Sequence, residues 1–389
     1  MKKLLLFIVF CLNFISLYSQ RRFDWKIKVD NELRDVIVVQ PSHPAPPGGY
    51  PVVFMLHGTS GDGEKFYNIS GWKELGEEEN FITVFPSSLS WCFVEDGIEK
   101  QNTKWVCGDL LNKPCSGKPQ DYIDDVKFLK RVTQLIQDTF PVNPKKIFAS
   151  GFSNGAAMIH KLAMEAGDVF AAVTACSGIL TELDSTTPLR RIPTWFMVGT
   201  LDDRFIQSPY TELPFGEDSI LTYLKFPLNR ALVCQGLTPT FTKNETMITH
   251  TYLFNEAQSG AVSKPYLFTL IKDMTHVYPN ELNYPISAAK LSWEFFKRSV
   301  ITSTDEFESR DAKINIYPNP SGGTLNIEVT NSKIERLDIY NSQGTKLKQD
   351  DQLQTSYRID LRQYPEGIYF IQVKTSNGNY TKKWIKASH

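Results

Sequence analysis

Up to about residue 298 the chain alternates short apolar runs with stretches of helical period. Residues 52–56 (VVFML), 81–85 (FITVF) and 146–149 (KIFA) read as buried strands, and 171–175, 192–198 and 266–271 continue the series. Between the second and third runs, residues 121–140 place Ile123, Val126, Leu129, Val132, Leu135 and Ile136 on one helical face, with Asp121 as the expected N-cap. A further helix is expected over 286–297. Continuous apolar strands separated by amphipathic helices predict an α/β architecture, a doubly wound and mostly parallel sheet covered on both faces.

The period then changes. Residues 299–312 (SVITSTDEFESRDA) are polar and charged with no sustained apolar repeat, and read as a linker. Beyond them apolar positions alternate with polar ones, at Ile314 and Ile316, at Leu325, Ile327 and Val329, at Leu337 and Ile339, and at Ile368 and Phe370. Turn signals separate the runs: Pro318-Asn319-Pro320, Gly322-Gly323, Ser342-Gln343-Gly344, Pro365-Glu366-Gly367 and Asn377-Gly378. About seven short strands at such spacing predict a small all-β sandwich over residues 313–389. With no cysteine and no histidine before the terminal His389, this unit is expected to carry no chemistry.

The amino terminus has its own pattern. Lys2 and Lys3 precede an apolar run from Leu4 to Phe10 that weakens towards Leu17, and small Ser19 stands before Gln20. That is the layout of a secretory signal peptide over residues 1–19, with the run too short for the ~20 residues a bilayer span needs. Residues 20–298 would then be the main mature domain, exported and crossing no membrane. A net charge of -1 offers no field for nucleic acid phosphates. Removal of Cys11 leaves Cys92, Cys107, Cys115, Cys176 and Cys234, an odd number in a compartment that permits disulfides. Cys92, Cys107 and Cys115 crowd one stretch where a staple would be useful, and the pairing is open. No pair has zinc-site spacing, so neither a metal nor a cofactor is expected.

Candidate chemistry centres on Gly151-Phe152-Ser153-Asn154-Gly155. An apolar strand enters this Gly-x-Ser-x-Gly and a helix-forming sequence, AAMIHKLAMEAG, leaves it, the setting a nucleophile elbow requires. A serine hydroxyl needs a base to take its proton. Among the histidines, His43 lies in a proline-rich loop, His57 ends a strand, His160 lies on the outgoing helix and His250 in an alternating run. His276, between the last buried strand and the last helix, is the expected base. The acid should fall between Ser153 and His276 in the chain, directly after a strand. Asp202 is the choice and Asp203 the alternative. An oxyanion would take one backbone N–H from Asn154 and a second from the glycine-rich loop after residues 52–56, with Thr59 as candidate. Residues 91–120, with Trp91, Trp105 and three cysteines, would form an inserted rim. Trp105 reads either as a platform for a sugar or aryl ring or as a core filler.

Leu56-His57-Gly58, Asp124-Asp125-Val126 with Phe128, Gly151-Phe152-Ser153-Asn154-Gly155-Ala156 and Gly199-Thr200 with Asp202, taken together, resemble the secreted polyhydroxybutyrate depolymerase and feruloyl esterase relatives of carbohydrate esterase family 1. The similarity spans about residues 50–298. It implies an α/β-hydrolase fold and hydrolysis of carboxylic esters through an acyl-enzyme, with Ser153, Asp202 and His276 at the triad positions and a polysaccharide-linked or polyester substrate. Two departures stand out. Met274-Thr275 and Tyr278-Pro279 flank His276 where the family has a glycine-rich approach and a Trp-Pro, and Thr59 stands where relatives often have cysteine. Residues 314–388 are similar to the C-terminal sorting domain of type IX secretion cargo, through Ile316-Tyr317-Pro318-Asn319-Pro320, Gly344, Pro365-Glu366-Gly367-Ile368-Tyr369 and the basic ending Lys382-Lys383-Trp384-Ile385-Lys386. This implies a secreted or surface-held protein whose partner is that secretion machinery. A serine peptidase of the same fold and a non-catalytic binding module remain the competing readings.

Overall fold

The computed structural model of the protein describes residues 20–387 apart from 118–119, 189, 311–312, 331–332, 343, 352–354 and 376–377. The segment read as a signal peptide lies outside the described residues. The chain divides into two units, Met1–Ser299 and Val300–His389.

Among the described residues of the first unit, ten strands form one sheet in the order β1-β2-β4-β3-β7-β8-β9-β12-β11-β10. They are β1 (Arg21–Val29), β2 (Glu32–Gln40), β3 (Tyr50–Leu56), β4 (Ile82–Pro86), β7 (Val142–Phe152), β8 (Ala172–Cys176), β9 (Thr194–Gly199), β10 (Thr242–Glu245), β11 (Thr249–Phe254) and β12 (Tyr266–Ile271). The central strands β4, β3, β7, β8, β9 and β12 are parallel, and antiparallel strands flank them on both sides. Every residue of β3, β4, β8 and β9 is buried, as continuous apolar runs between two helical layers require. A separate hairpin, β5 (Ser90–Glu95) with β6 (Ile98–Thr103), stands outside the sheet.

The helices are α1 (Gly63–Ile69), α2 (Trp72–Glu78), α3 (Gly108–Leu111), α4 (Asp125–Thr139), α5 (Asn154–Glu165), α6 (Ser219–Tyr223), α7 (Lys225–Gln235) and α8 (Ala288–Arg310). The expected N-cap at Asp121 is corrected to Asp124, whose carboxylate accepts from the Val126 and Lys127 N–H groups. The apolar stripe begins at Ile123, but the helix starts at Asp125, and only Asp124 stands two and three residues ahead of the unpaired donors. The polar stretch 299–312, read as a linker, is helical as far as Arg310. It contains neither glycine nor proline, so nothing local stops the turns that begin at Ala288.

Register sets the working edge of the sheet. Leu56 pairs with Gly151, Phe152 with Cys176, Cys176 with Met197 and Gly199 with Ile271. The carboxyl ends of β3, β7, β8, β9 and β12 therefore come level, and the loops leaving them share one edge, where ligands of open α/β sheets bind.

In the second unit, among the described residues, β13 (Lys313–Tyr317), β14 (Thr324–Thr330) and β17 (Ser356–Asp360) form one antiparallel sheet. β15 (Ile334–Asn341), β16 (Lys346–Asp350), β18 (Gly367–Thr375) and β19 (Gly378–Lys386) form another. Leu325, Ile327, Ile339, Ile359, Ile371, Val373 and Trp384 fill the space between them, the period-two positions of the sequence.

One ion pair of the first unit is enclosed. The Arg34 guanidinium of β2 bonds the Asp125 carboxylate at the start of α4 and lies 4.3 Å from the centre of the Phe128 ring. Asp125 also accepts from the Val106 N–H at 2.6 Å. Removing one partner strands the other charge in a dry site. Arg34→Leu is expected to lower the unfolding free energy by about 3–5 kcal/mol, measured by urea denaturation. A loss below about 1 kcal/mol would show that water reaches the carboxylate.

Candidate active site

Ser153 sits in the turn between β7 and α5 with φ 54° and ψ -120°. That backbone costs about 1–3 kcal/mol for a residue with a side chain and persists only where its surroundings impose it. A Cβ on Gly151 would stand 2.5 Å from the Gly155 carbonyl oxygen, and one on Gly155 would stand 2.4 Å from the carbonyl oxygens of Leu56 and His57. The two glycines let the elbow close on itself and on the end of β3. The Ser153 N–H donates to the Cys176 carbonyl at 2.9 Å, anchoring the turn to β8.

The base comes from the loop after β12 and the acid from the loop after β9. His276 Nε2 lies 2.9 Å from Ser153 Oγ, and Nδ1 lies 2.9 and 3.1 Å from the two carboxylate oxygens of Asp202. An ionised carboxylate only accepts, so Nδ1 carries the proton and Nε2 is left to accept from the hydroxyl. Asp202 is fully buried, and its carboxylate also accepts from the Arg204 N–H at 3.2 Å. The Asp203 side chain is 79% exposed and turned to Arg204, so of the two aspartates Asp202 meets His276. The two loops brace each other: the Leu201 N–H donates to the Met274 carbonyl at 2.9 Å, and the Asp273 N–H to Thr200 Oγ1 at 2.8 Å. Phe152 packs on the His276 ring with centroids 5.0 Å apart.

The loop after β3 lies against the elbow. Neither the Thr59 nor the Asn154 backbone N–H donates to a protein group among the described residues, whereas the next donor, Ser60 N–H, is held by the Thr103 carbonyl at 3.0 Å. His57, which the sequence offered only as a strand end, holds this loop. Its Nε2 accepts from the Ser88 N–H at 3.0 Å, which obliges Nδ1 to carry the proton it donates to the Gly58 carbonyl at 2.8 Å.

Trp105 requires a correction. Its indole is fully buried and donates from Nε1 to the His57 carbonyl at 2.9 Å, so it presents no face to a ligand and serves the loop from behind. The crowded cysteines resolve as a Cys92–Cys115 disulfide, and Cys107, Cys176 and Cys234 are free thiols among the described residues. Burial pushes the Cys176 thiol up to about 12 and Cys107 well above its ordinary value, so neither competes as a nucleophile. His160 and His250 lie away from Ser153 Oγ, packed on Tyr266 and Phe215 respectively.

Burial lowers the pKa of both His57 and His160 to about 4 from 6.5. The unfolded chain therefore takes up these two protons at higher pH than the folded one. Their stabilising contribution is complete above pH 6.5 and is lost as pH falls towards 4. Each adds a slope of up to about 1.4 kcal/mol per pH unit in that window. Urea denaturation between pH 7 and 4.5 should show this slope, and His160→Gln should remove about one histidine's share of it. An unchanged slope in the variant would place that proton uptake elsewhere.

Residues 29–219 match the family described as "Putative esterase", and residues 315–387 the family described as "Secretion system C-terminal sorting domain". The chain is 25% identical over 170 residues to the bifunctional acetylxylan esterase/xylanase XynS20E of Neocallimastix patriciarum, covering 44% of this chain and 22% of that protein. It is 27% identical over 163 residues to "Putative esterase NocK" of Nocardia uniformis subsp. tsuyamanensis, covering 42% of this chain and 43% of that one. The chain thus spans less than half the length of either curated relative. Among solved structures, the acetyl xylan esterase from Aspergillus awamori superposes with a TM-score of 0.47 at 15% identity, over 72% of this chain and 99% of that one. Residues 29–219, in the unit that carries the α/β-hydrolase sheet, thus match an esterase family, and residues 315–387 match the secretion system C-terminal sorting domains, which mark a secreted or cell-surface protein.

Proposed function

We propose that the protein is an exported serine carboxylic-ester hydrolase that works through an acyl-enzyme. The observation that carries this reading is the unbroken chain from Ser153 Oγ through His276 to buried Asp202, with both links at 2.9 Å. Ser153 attacks the ester carbonyl while His276 Nε2 takes its proton, and Asp202 stabilises the imidazolium that results. Negative charge gathers on the carbonyl oxygen, where the Thr59 and Asn154 N–H groups would receive it. His276 returns the proton to the leaving alcohol, and a water activated by the same nitrogen releases the acid.

For the substrate we propose an acetyl ester on a plant polysaccharide, supported by the likeness to a relative named for acetylxylan esterase activity. The C-terminal unit would deliver the chain to a type IX secretion machinery. The domain limits proposed are 20–298 for the esterase and 313–389 for the sorting unit.

Ser153→Ala and His276→Ala should each lower kcat on nitrophenyl acetate by about 10⁴-fold or more, and the double variant by little further, because the triad acts as a unit. Retained activity in Ser153→Ala would remove this mechanism. In a panel of acetylated xylan, methyl ferulate, polyhydroxybutyrate and a peptide amide, acetate release from xylan should give the highest kcat/KM. Preference for ferulate or polyester would move the substrate assignment within the esterases, and preference for the amide would make the protein a peptidase.

A further inference from the structure

The segment between β4 and α4 touches the elbow and the loops after β3, β8 and β9. Its Thr103 carbonyl accepts from the Ser60 N–H at 3.0 Å, and its Trp105 indole donates to the His57 carbonyl at 2.9 Å. Glu95 lies 3.7 Å from Arg204, two residues beyond Asp202. The Gly108 N–H donates to buried Asp184, in the loop after β8, at 2.7 Å. The Cys92–Cys115 disulfide closes the segment at its base.

Its firmest grip falls on the elbow. The Asn154 side chain is wholly engaged by it: Oδ1 accepts from the Trp105 N–H at 2.6 Å, and Nδ2 donates to Asp109 Oδ2 at 3.2 Å and to the Trp105 carbonyl at 3.3 Å. The same Asp109 oxygen lies 3.1 Å from Lys104 Nζ, and the Lys104 side chain is 1% exposed with Nζ 4.3 Å from the centre of the Phe93 ring. Burial works to raise the Asp109 pKa, but Lys104 and Lys113 outweigh it and hold the carboxyl below its ordinary value, so it stays a charged acceptor.

A lysine–aspartate pair whose lysine is buried and whose aspartate is 28% exposed is a poor source of stability, since desolvation of the lysine and solvent screening at the aspartate offset much of its attraction. It does fix direction. A charged acceptor set by a buried cation leaves the Asn154 amide one orientation, and the Asn154 backbone N–H lies a few bonds away on the same residue. We propose that Asp109, braced by Lys104, is a positioning residue for the oxyanion hole: it locks the Asn154 side chain and thereby aims the Asn154 N–H at the developing charge. The inference rests on the serine-esterase reading and adds to it that the stapled insertion, not the sheet alone, sets the geometry of charge stabilisation. Misplacement of a donor by a fraction of an ångström costs rate without loosening ground-state binding.

The test uses three variants of the full chain. Lys104→Met with Asp109→Leu replaces the ion pair by an apolar one and avoids a stranded charge. Asn154→Ala keeps the backbone N–H and deletes the amide. The third combines all these changes. Each should lower kcat on nitrophenyl acetate about 10–100-fold with KM within about twofold, and should weaken inhibition by a phenylboronic acid, which forms a tetrahedral adduct on the serine, by a similar factor. Because Asp109 acts through Asn154, the triple variant should lose no more than the larger of the other two. Stoichiometric labelling of Ser153 by a fluorophosphonate should persist in all three. Unchanged kcat in the Lys104/Asp109 variant, losses that multiply in the triple variant, or a rise in KM equal to the fall in kcat/KM would each overturn the proposal while leaving the esterase reading intact. A parent protein that neither hydrolyses the ester nor labels would remove that reading, and this one with it.

Discussion

Between Gly155 and the carbonyls of Leu56 and His57 there is no room for a methyl group, since a Cβ there would sit 2.4 Å from each oxygen. This contact presses the start of α5 onto the end of β3, at the edge that strand register has levelled. It brings the loop after β3 against the elbow, and it holds Ser153 in a backbone state that a lone strand-to-helix turn would relax. The bond from the Ser153 N–H to the Cys176 carbonyl closes the turn from the other side.

The rest of the site is a matter of loops holding loops. Asp202 and His276 arrive from different strands, and the backbone bond from Leu201 to Met274 makes their two loops one body. The sheet supplies level starting points, because parallel register puts the ends of β7, β8, β9 and β12 at one height. It does not by itself hold side chains within hydrogen-bonding distance. That falls to polar groups outside the triad, buried His57 and Trp105 behind the β3 loop and half-buried Asp109 with buried Lys104 behind Asn154. Such groups are costly to enclose unless fully bonded, so their presence beside the nucleophile points to orientation as their use.

The C-terminal unit follows simpler rules. Alternate residues of its strands meet between two antiparallel sheets, and its core includes Trp384, whose indole donates to the Pro318 carbonyl at 3.2 Å. That bond ties the basic ending of the chain to the Pro318-Asn319-Pro320 turn, so the two sequence features that resemble a sorting domain form one piece of surface.

Much of this protein is written locally in its sequence. Apolar runs of four to seven residues declare the buried strands because both faces of a central parallel strand are covered, and alternation declares the sandwich because only one face is. Ser153, a histidine after the last strand of the sheet and an acid after an earlier strand that lies between them in the chain could be proposed from chain order, since the fold dictates which strand end bears each. Tertiary structure decided what neighbours in the chain cannot. Asp202 and Asp203 are alike until one is enclosed and the other faces water. Trp105 is a ligand platform or a brace according to what covers it. Cys115 finds Cys92 rather than Cys107 because a hairpin, without a strong apolar signal, folds back between them. The partnership of Lys104, Asp109 and Asn154 leaves no period in the sequence, because it joins segments about fifty residues apart through contacts that only the folded chain makes.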